Sequence, residues 1–194
     1  MNKPFDALND VSDEALLVAF GNGDREAAVA LTRRLTPRVL GFATRMLGDR
    51  AEAEDVAQEA MLRLWQVAPE WRQGEARVTT WLYRVVANLC TDRLRKKRGV
   101  ALDAIAEPDD GKPSAQAVML DAQRLDALQG ALGGLPERQR QAVVFRHIEG
   151  LSNPEIAVIM DIGVEAVESL TARGKRSLAV ALAGRREELG YEND

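Results

Sequence analysis

Cysteine and histidine are almost missing from this 194-residue chain, which has one of each, Cys90 and His147. A single cysteine cannot form an internal disulfide, and a single histidine cannot complete a zinc cluster or a Ser-His-Asp or Cys-His catalytic site within one chain. The sequence also lacks a run of eighteen apolar residues, and residues 1–10 lack the basic-then-apolar pattern of a signal peptide. We therefore expect a cytoplasmic protein that is not an enzyme, uses no cofactor or metal, binds no small-molecule substrate and does not insert into a membrane.

Positive charge is concentrated in one short segment of the chain. The whole sequence has 26 basic and 30 acidic residues, yet residues 76–98, here called the basic stripe, hold seven basic residues and one acidic residue. Lysine and arginine release counterions from nucleic-acid phosphates, whereas the acidic remainder of the chain opposes non-specific binding. We expect the free protein to bind DNA weakly, and to bind it better when it is docked on a larger assembly.

Apolar residues recur with helical spacing along nearly the whole chain, and no strand pattern of useful length occurs. Cap and stop residues predict four helices in the first half of the chain. The first begins after Ser12 or Asp13 and ends at Gly21, the second runs from Asp24 to Gly48, and the others span residues 50–67 and 78–98. Asp49 and Glu52 have the spacing of a capping box at the start of the third helix. We expect Pro37 to kink or break the second helix near Thr36. Asn88 has a low helix propensity and is expected to interrupt the fourth helix.

The helical periodicity fails from Gly99 to about Ser114. In this stretch Asp109-Asp110-Gly111 lies between two prolines, which predicts a flexible acidic linker. Helical spacing then resumes and continues almost to the end of the sequence. We therefore expect an all-α fold with two small helical domains, residues 1–98 and 117–194, joined by a linker over residues 99–116.

The second domain contains a helix-turn-helix pattern. Ser152-Asn153-Pro154-Glu155 has the spacing of a capping box with proline in the first turn, and Asp161-Ile162-Gly163 predicts a tight turn before a second helix. In a helix-turn-helix the second helix reads the major groove, and its outward face here holds Glu165, Ser169, Ala172, Arg173 and Arg176. The arginines can reach phosphates or guanine edges. From the spacing alone, an ordinary helical hairpin with a solvated charged face remains an alternative.

Aromatic residues are interleaved with cations in the basic stripe. Trp81 and Tyr83 precede the run Arg93 to Arg98, and Arg77 and Arg84 lie close by in the sequence. Aromatic rings can stack on unpaired bases, which contributes about 1–3 kcal/mol for each base, while cations follow the backbone. The alternative is that Trp81 belongs to the core and that the basic run only interacts with the C-terminal end of its helix.

Three segments carry a more specific signal. Residues 53–65 (AEDVAQEAMLRLW), residues 80–88 (TWLYRVVAN), and residues 135–144 (LPERQRQAVV) with 150–176 follow one another in this order. They resemble the core-polymerase-binding helix, the promoter-melting and −10-reading segment, and the −35-reading domain of bacterial sigma factors. The match is to the sigma-70 family, and within it to the small two-domain extracytoplasmic-function (ECF) branch. The resemblance covers about residues 12–98 and 120–183.

The resemblance implies a role for each segment. The helix over residues 50–67 would dock on the clamp helices of the largest polymerase subunits through Asp55, Gln58, Glu59, Leu62 and Arg63. The first domain would recognise and melt the −10 element through Trp71, Arg72, Arg77, Trp81, Arg84, Asn88, Arg93, Arg95, Lys96 and Lys97. The second domain would read the −35 duplex through Ser152, Asn153, Glu165, Ser169, Ala172, Arg173, Lys175 and Arg176.

The resemblance also implies partners and control. The expected partners are core RNA polymerase, promoter DNA and an anti-sigma factor that is wedged between the two domains. Asn88 matches a position in the loop that holds a base flipped out of the −10 non-template strand. The acidic linker is similar to linkers that thread toward the RNA path of the polymerase.

Two other functions remain open at this point. A stand-alone helix-turn-helix regulator would need no polymerase and usually reads two half-sites as a dimer. A sigma-like mimic would occupy an anti-sigma factor without binding promoters. The first-domain motifs disfavour the regulator, and the basic stripe disfavours the mimic.

Some positions depart from the family pattern or stand alone. Many relatives carry basic residues near the start of the recognition helix, where this chain has Glu165, Glu168 and Leu170. Gly174 in the middle of that helix costs about 1 kcal/mol of helix stability relative to alanine. We expect His147 to lie at the surface or its boundary, and Cys90 to be structural rather than a redox switch.

Overall fold

The computed structural model describes residues 10–72, 74, 76–101 and 116–183. These residues form helices, turns and short connections, and none of the described residues lies in a β-strand. The predicted all-α fold with two helical domains is therefore confirmed. The predicted linker lies mostly outside the described residues.

The first domain is built from four long helices and a short turn. Helix α1 spans Asp13–Gly21, α2 Arg25–Leu47, α3 Arg50–Val67 and α4 Val78–Ala101, with a 3₁₀ turn at Ala68–Glu70 between α3 and α4. Side chains of Ser12, Asp24 and Asp49 accept hydrogen bonds from backbone N–H groups in the first turns of α1, α2 and α3. Such caps satisfy donors that the helix itself leaves free, which is why these helices begin where the sequence predicted.

We predicted that Pro37 kinks or breaks helix α2 near Thr36; the helix is continuous through Pro37, so a break at this position is wrong. Pro37 is exposed, whereas Leu31, Leu35 and Val39 around it are buried against the other helices of the domain. Proline removes one backbone donor, but packing along the buried face compensates for that loss. Tertiary packing thus overrides the local preference at this position.

Helix α4 is also continuous, and the predicted interruption at Asn88 is wrong. Asn88 lies on an exposed position of the helix, while Val86 and Leu89 are buried beside it. The helix continues through Ala101, three residues beyond the predicted end of the first domain. Asn88 therefore lies on a helix and not on a loop.

The second domain contains the remaining helices. Helix α5 spans Gln116–Gly133, α6 Glu137–Val143, α7 Asn153–Met160 and α8 Val164–Ala183, and a π-helical segment at Val144–Ile148 follows α6. The capping box at α7 is complete, because the Ser152 side chain accepts from the Glu155 N–H and the Glu155 side chain accepts from the Ser152 N–H. Asp161 turns the chain into α8 with a left-handed backbone (φ 52°). Helices α7 and α8 form the predicted helix-turn-helix.

Gly174 is buried where α8 crosses α6. A Cβ at this position would lie 2.6 Å from Val143 Cγ2 and 3.2 Å from the Gln139 carbonyl oxygen. Both distances are shorter than an ordinary carbon contact of about 3.5–4.0 Å. The close approach of the two helices explains the glycine that helix propensity alone does not favour.

The two domains pack directly against each other. The Phe42 ring of α2 stacks on the Phe145 ring of the π-helical segment, with centroids 4.4 Å apart and planes 13° from parallel. Tyr83 of α4 meets Phe145 edge-on at 5.5 Å, and all three residues are buried. One continuous hydrophobic core therefore runs through both domains. The periodicity of the sequence did not predict this contact.

Candidate nucleic-acid and polymerase interfaces

Helix α3 presents the predicted polymerase-binding residues on one face. Asp55, Gln58, Leu62 and Arg63 are exposed and Glu59 is half-buried, while Val56, Ala60 and Leu64 on the opposite face are buried. Arg63 forms a 2.6 Å ion pair with Glu59, one turn away. Leu62 is an apolar side chain with 53% of its surface exposed within an otherwise polar face. The arrangement suits contact with another protein.

An apolar groove of about 310 Å³ adjoins this face. Helix α2 contributes Leu40 to its lining, and α3 contributes Met61, Leu62 and Trp65. The sequence did not predict the groove, because helical periodicity describes each helix separately and the groove needs two helices side by side. The indication that the sequence offered is the presence of further apolar residues, such as Leu40, Leu62 and Trp65, beside the buried faces of α2 and α3.

The basic stripe is partly neutralised by acidic residues of α3 and the turn before it. Lys97 Nζ lies 2.9 Å from a Glu52 oxygen and 3.6 Å from an Asp49 oxygen, and Arg93 lies 3.5 Å from Asp55. The hydrogen bond with Glu52 raises the pKa of Lys97. The hydrogen bond from the Glu52 N–H, together with Lys97, lowers the pKa of Asp49.

Glu52, Arg93 and Lys97 line a charged cleft of about 450 Å³ between α3 and α4. Glu52, which the sequence predicted as part of a capping box with Asp49, directs its carboxylate toward Lys97 instead. Two other cations of the stripe, Arg95 and Lys96, are exposed, and Arg95 lies 3.8 Å from Asp92. Counting charge by segment therefore overstated the positive charge that the stripe presents.

The aromatic residues near the stripe divide into two groups. Trp71 and Trp81 are half-buried and meet edge-on with centroids 6.1 Å apart. The indole N–H of Trp71 is buried, and no described residue accepts a hydrogen bond from it. Tyr83 is fully buried, so it cannot stack on a base.

Arg72 and Arg77 are exposed beside the tryptophans, although Arg77 forms a 2.8 Å ion pair with Glu155 of the second domain. Two further predicted −10 residues, Arg84 and Asn88, are exposed and line a cleft of about 350 Å³ between the domains. Arg138 and Asp161 of the second domain lie on the other side of this cleft. Three of the predicted −10 residues, Arg77, Arg84 and Asn88, thus face the second domain.

Helix α8 exposes the predicted groove-reading face. Glu165, Ser169, Ala172, Arg173, Lys175 and Arg176 are all exposed, and Val167 on the opposite side is buried. The Arg173 Nε–H donates to the Ser169 carbonyl of its own helix at 3.2 Å.

The start of α7 is held mainly by contacts within the second domain. Ser152 is engaged with Glu155, and the hydrogen bonds that Ser152 donates lower the pKa of that carboxyl. The Asn153 amide donates to Glu168 at 3.3 Å. Glu168 is therefore a partner of α7 and not a free charge on the recognition helix.

The two single residues lie where the sequence predicted them. His147 is exposed. Cys90 is buried, and burial raises the pKa of its thiol to about 12. A buried neutral thiol is a poor nucleophile, which supports a structural role for Cys90.

Metal sites and membrane spans are both absent from the part of the chain that the structure describes. Within those residues, no group of three or more histidine, cysteine or acidic side chains could hold a metal ion. Among the helices of the same residues, none has both the length and the apolar character needed to cross a bilayer.

Two family models match the chain, one on each domain. The model described as Sigma-70 region 2 matches residues 31–100, and the model described as Sigma-70, region 4 matches residues 125–178. The first match includes α3 and the basic stripe. The second match includes the helix-turn-helix.

Similar proteins of known name agree with these matches. The chain is 32% identical to the ECF RNA polymerase sigma factor SigE of Mycolicibacterium smegmatis over 79% of this chain and 60% of that longer protein. It is 30% identical to the RNA polymerase sigma-H factor of Pseudomonas aeruginosa over 90% of this chain and 96% of that protein. A solved structure of the sigma factor RpoE with the anti-sigma factor NepR from Bartonella quintana has a similar fold. Its TM-score is 0.66 at 24% identity, over 78% of this chain and 94% of that chain.

Proposed function

This chain belongs to the sigma-70 family, in its ECF branch, and we propose that it docks on core RNA polymerase through α3 and directs it to promoters. One observation carries the proposal: region 2 and region 4 matches occur in family order, and each falls on one domain of the fold. The members of this family are transcription initiation factors and not enzymes. The protein acts by binding both the polymerase and the promoter DNA, and it catalyses no reaction itself.

The polymerase-binding surface is the outward face of α3. The five predicted residues on this face are Asp55, Gln58, Glu59, Leu62 and Arg63. An exposed leucine next to an apolar groove, surrounded by charged groups, fits an interface with an apolar centre and a polar rim.

Promoter DNA is read by both domains. The exposed face of α8 meets the −35 duplex, where Arg173, Lys175 and Arg176 contact phosphates and base edges. Arg84 and Asn88 recognise unpaired −10 bases, because an exposed amide on a helix can pair with a base edge. The paired tryptophans, Trp71 and Trp81, offer half-exposed rings for stacking.

Binding energy for the separated strand shifts the equilibrium of the promoter toward the open form. Basic residues of the stripe contribute by replacing their carboxylate partners with phosphates. Arg93 and Lys97 leave Asp55 and Glu52 in this exchange. Because an ion pair within the protein is lost for each contact with a phosphate, the net binding free energy of each contact is small. The free protein therefore binds DNA weakly.

We also propose that an anti-sigma factor controls the protein. The solved relative with the same fold is bound to an anti-sigma factor. The cleft between the domains and the groove on α3 are the two concave surfaces on which such a partner can exclude polymerase or DNA.

A transcription assay tests the proposed function. Core polymerase with this chain should give run-off transcripts from a subset of a genomic promoter pool, whereas core polymerase alone should not. Absence of any specific transcript would contradict the proposal. Footprinting with the free protein tests the stand-alone regulator, which would protect DNA without polymerase.

A paired substitution tests the docking surface. Asp55→Ala with Glu59→Ala should lower the affinity for core polymerase about tenfold or more, since the exposed Asp55 and the half-buried Glu59 both lie on the docking face. Asp126→Ala is the matched control, because Asp126 is an exposed acidic residue on a helix of the other domain. Unchanged polymerase pull-down by the double variant would refute this surface.

A further inference from the structure

Helix α1 carries none of the predicted site residues, yet it contacts the chain on both sides of three of them. Trp71, Arg72 and Arg77 lie between the 3₁₀ turn at Ala68–Glu70 and the start of α4. Helix α1 touches the turn that precedes them and the first residue of the helix that follows them. The position of these three residues therefore depends on α1.

The described residues just before α4 offer its first turn no side-chain acceptor. They are Ala76 and Arg77, and neither side chain can accept a hydrogen bond. The first turn of α4 also contains no acidic residue. The Glu14 carboxylate of α1 takes the place of a cap, because it accepts a hydrogen bond from the Val78 backbone N–H at 3.0 Å. It satisfies a donor that the helix leaves free and places a negative charge at the positive end of the helix.

This hydrogen bond is shielded from water. Val78 has no exposed surface, and Glu14 is half-buried. A buried backbone N–H that lacks an acceptor costs about as much free energy as a lost hydrogen bond. Removal of the Glu14 carboxylate therefore favours fraying of the first turn of α4.

The other end of α1 packs against the 3₁₀ turn with no room for a side chain. A Cβ on Gly21 would lie 2.6 Å from the Ala68 carbonyl oxygen and 3.3 Å from the Pro69 Cα. Both of these atoms belong to the backbone, so a side chain at Gly21 would displace the turn itself. The Trp71 N–H donates to the same Ala68 carbonyl at 3.2 Å. The position of the turn thus sets the position of Trp71.

Helix α1 is fixed to the rest of the domain by separate contacts. Arg34 of α2 donates to the Val11 carbonyl at 2.7 Å and to the Asp13 carboxylate at 3.0 Å. Leu16 and Leu17 are buried in the core. Because these contacts do not involve the 3₁₀ turn or α4, α1 is a firm support for both of them.

The two contacts of α1 meet at the pair of tryptophans. Trp81 lies in the first turn of α4, where its N–H donates to the Arg77 carbonyl at 3.1 Å, and its ring meets the Trp71 ring edge-on at 6.1 Å. A shift of the 3₁₀ turn moves Trp71, whereas fraying of α4 moves Trp81. A surface whose parts are already ordered loses less conformational entropy when it binds.

We propose that Glu14 and Gly21 are positioning residues for −10 recognition, which hold Trp71 and the first turn of α4 in the arrangement that captures unpaired bases. This inference rests on the proposed function. The apparent affinity for the unpaired strand falls in proportion to the fraction of molecules that keep this arrangement. Loss of a helix N-cap changes an equilibrium constant by about 2- to 30-fold.

Promoter opening by the holoenzyme tests the role of Glu14. Permanganate reactivity of −10 thymines measures the open fraction, and a promoter with a mismatched −10 element measures the capture of a strand that is already unpaired. Glu14→Ala should lower both the opening equilibrium constant and the affinity for the mismatched promoter by about 2- to 30-fold, with unchanged affinity for core polymerase. Glu14→Gln keeps a neutral acceptor, whose hydrogen bond is about half as strong, and should lose less.

Asp13→Ala is the matched control for this experiment. Asp13 is the neighbouring half-buried acidic residue on the same helix, and it is paired with Arg34 of α2. Its removal weakens the attachment of α1 without touching α4, so promoter opening should stay within about twofold of the wild-type value. Equal losses for Asp13→Ala and Glu14→Ala would mean a general loss of stability and would overturn the proposal. Equal losses for Glu14→Gln and Glu14→Ala would also count against it.

A second pair of variants tests the contact with the 3₁₀ turn. Gly21→Ala displaces backbone atoms, whereas a Cβ at Gly41 meets only the flexible Arg45 guanidinium at 2.8 Å. Gly21→Ala should therefore reduce promoter opening, and Gly41→Ala should not. Equal opening by the two variants would show that the turn does not need this contact.

The wild-type holoenzyme separates this inference from the proposed function. If the wild-type chain opens no promoter with core polymerase, the proposed function itself is overturned. If the wild-type chain and Glu14→Ala open the promoter equally well, only the positioning role is overturned.

Discussion

Alanine at position 174 should destabilise the protein although it favours the helix. In a helix interior, alanine is about 1 kcal/mol more favourable than glycine. Here its Cβ would lie 2.6 Å from Val143 Cγ2 and 3.2 Å from the Gln139 backbone oxygen. Restoring normal contacts needs a shift of about 1 Å between α6 and α8, and overpacking of this kind costs about 1–3 kcal/mol. After the gain in helix propensity of about 1 kcal/mol is subtracted, a net destabilisation of up to about 2 kcal/mol follows.

Thermal unfolding measures this effect, and the chain offers a matched control. For a protein of this size, 1 kcal/mol corresponds to about 2–4 °C in Tm, so Gly174→Ala should lower the Tm by up to about 8 °C. Gly130 is an exposed helix glycine, and a Cβ added there would have nothing within 4 Å, so Gly130→Ala should raise the Tm. Val143→Ala should rescue part of the Gly174→Ala loss in a double-mutant cycle. A Tm increase for Gly174→Ala equal to that for Gly130→Ala would refute the packing argument.

Two further predictions concern titratable groups. Burial raises the pKa of Cys90 to about 12, so a thiol reagent at pH 8 should react with the native protein at least a hundredfold more slowly than with the protein in urea; equal rates would contradict the burial. Hydrogen bonds from Ser152 lower the pKa of the Glu155 carboxyl. The ionised carboxylate therefore stabilises the fold at pH values above its usual pKa of about 4.5. This stabilisation is lost as the pH falls through the lowered pKa of the folded state. Glu155→Gln should therefore make the free energy of unfolding, measured in urea, depend less on pH at acidic pH. Ser152→Ala should lower the free energy of unfolding by about 0.5–2 kcal/mol. If Glu155→Gln leaves the pH dependence at acidic pH unchanged, the capping box contributes nothing to it.

Local features of the fold could be predicted because local physics determines them. The caps at Ser12, Asp24 and Asp49 and the capping box at Ser152 are short-range hydrogen bonds with fixed spacing, and the structure contains all of them. The wrong predictions involved residues with poor helix propensity in long helices. At Pro37 and Asn88, burial of neighbouring apolar residues outweighs the local cost, and such burial depends on helices far away in the sequence.

The contact between the domains could not be predicted for a related reason. Phe42 and Phe145 each fit the apolar face of their own helix, so periodicity explains both without any partner. Arg140 is a weak indication of the contact in the sequence, because an arginine beside a run of apolar residues needs a hydrogen-bond acceptor for its guanidinium. Its partner is a backbone carbonyl 94 residues away in the chain, and backbone acceptors leave no trace in a sequence pattern.

Ion pairs between distant residues could not be predicted either, and one of them connects the docking face of α3 with the basic stripe. Asp55 belongs to the docking face of α3 and also lies 3.5 Å from Arg93 of the basic stripe, whereas Glu59 pairs with Arg63 on α3 itself. If polymerase engages Asp55, Arg93 loses its carboxylate partner and becomes available to a phosphate. Removing Asp55 should therefore weaken polymerase binding while strengthening binding to single-stranded DNA, whereas removing Glu59 should affect polymerase alone. Because binding energies are reciprocally linked, the two single variants measured with both partners separate the docking role of Asp55 from its restraint of the stripe.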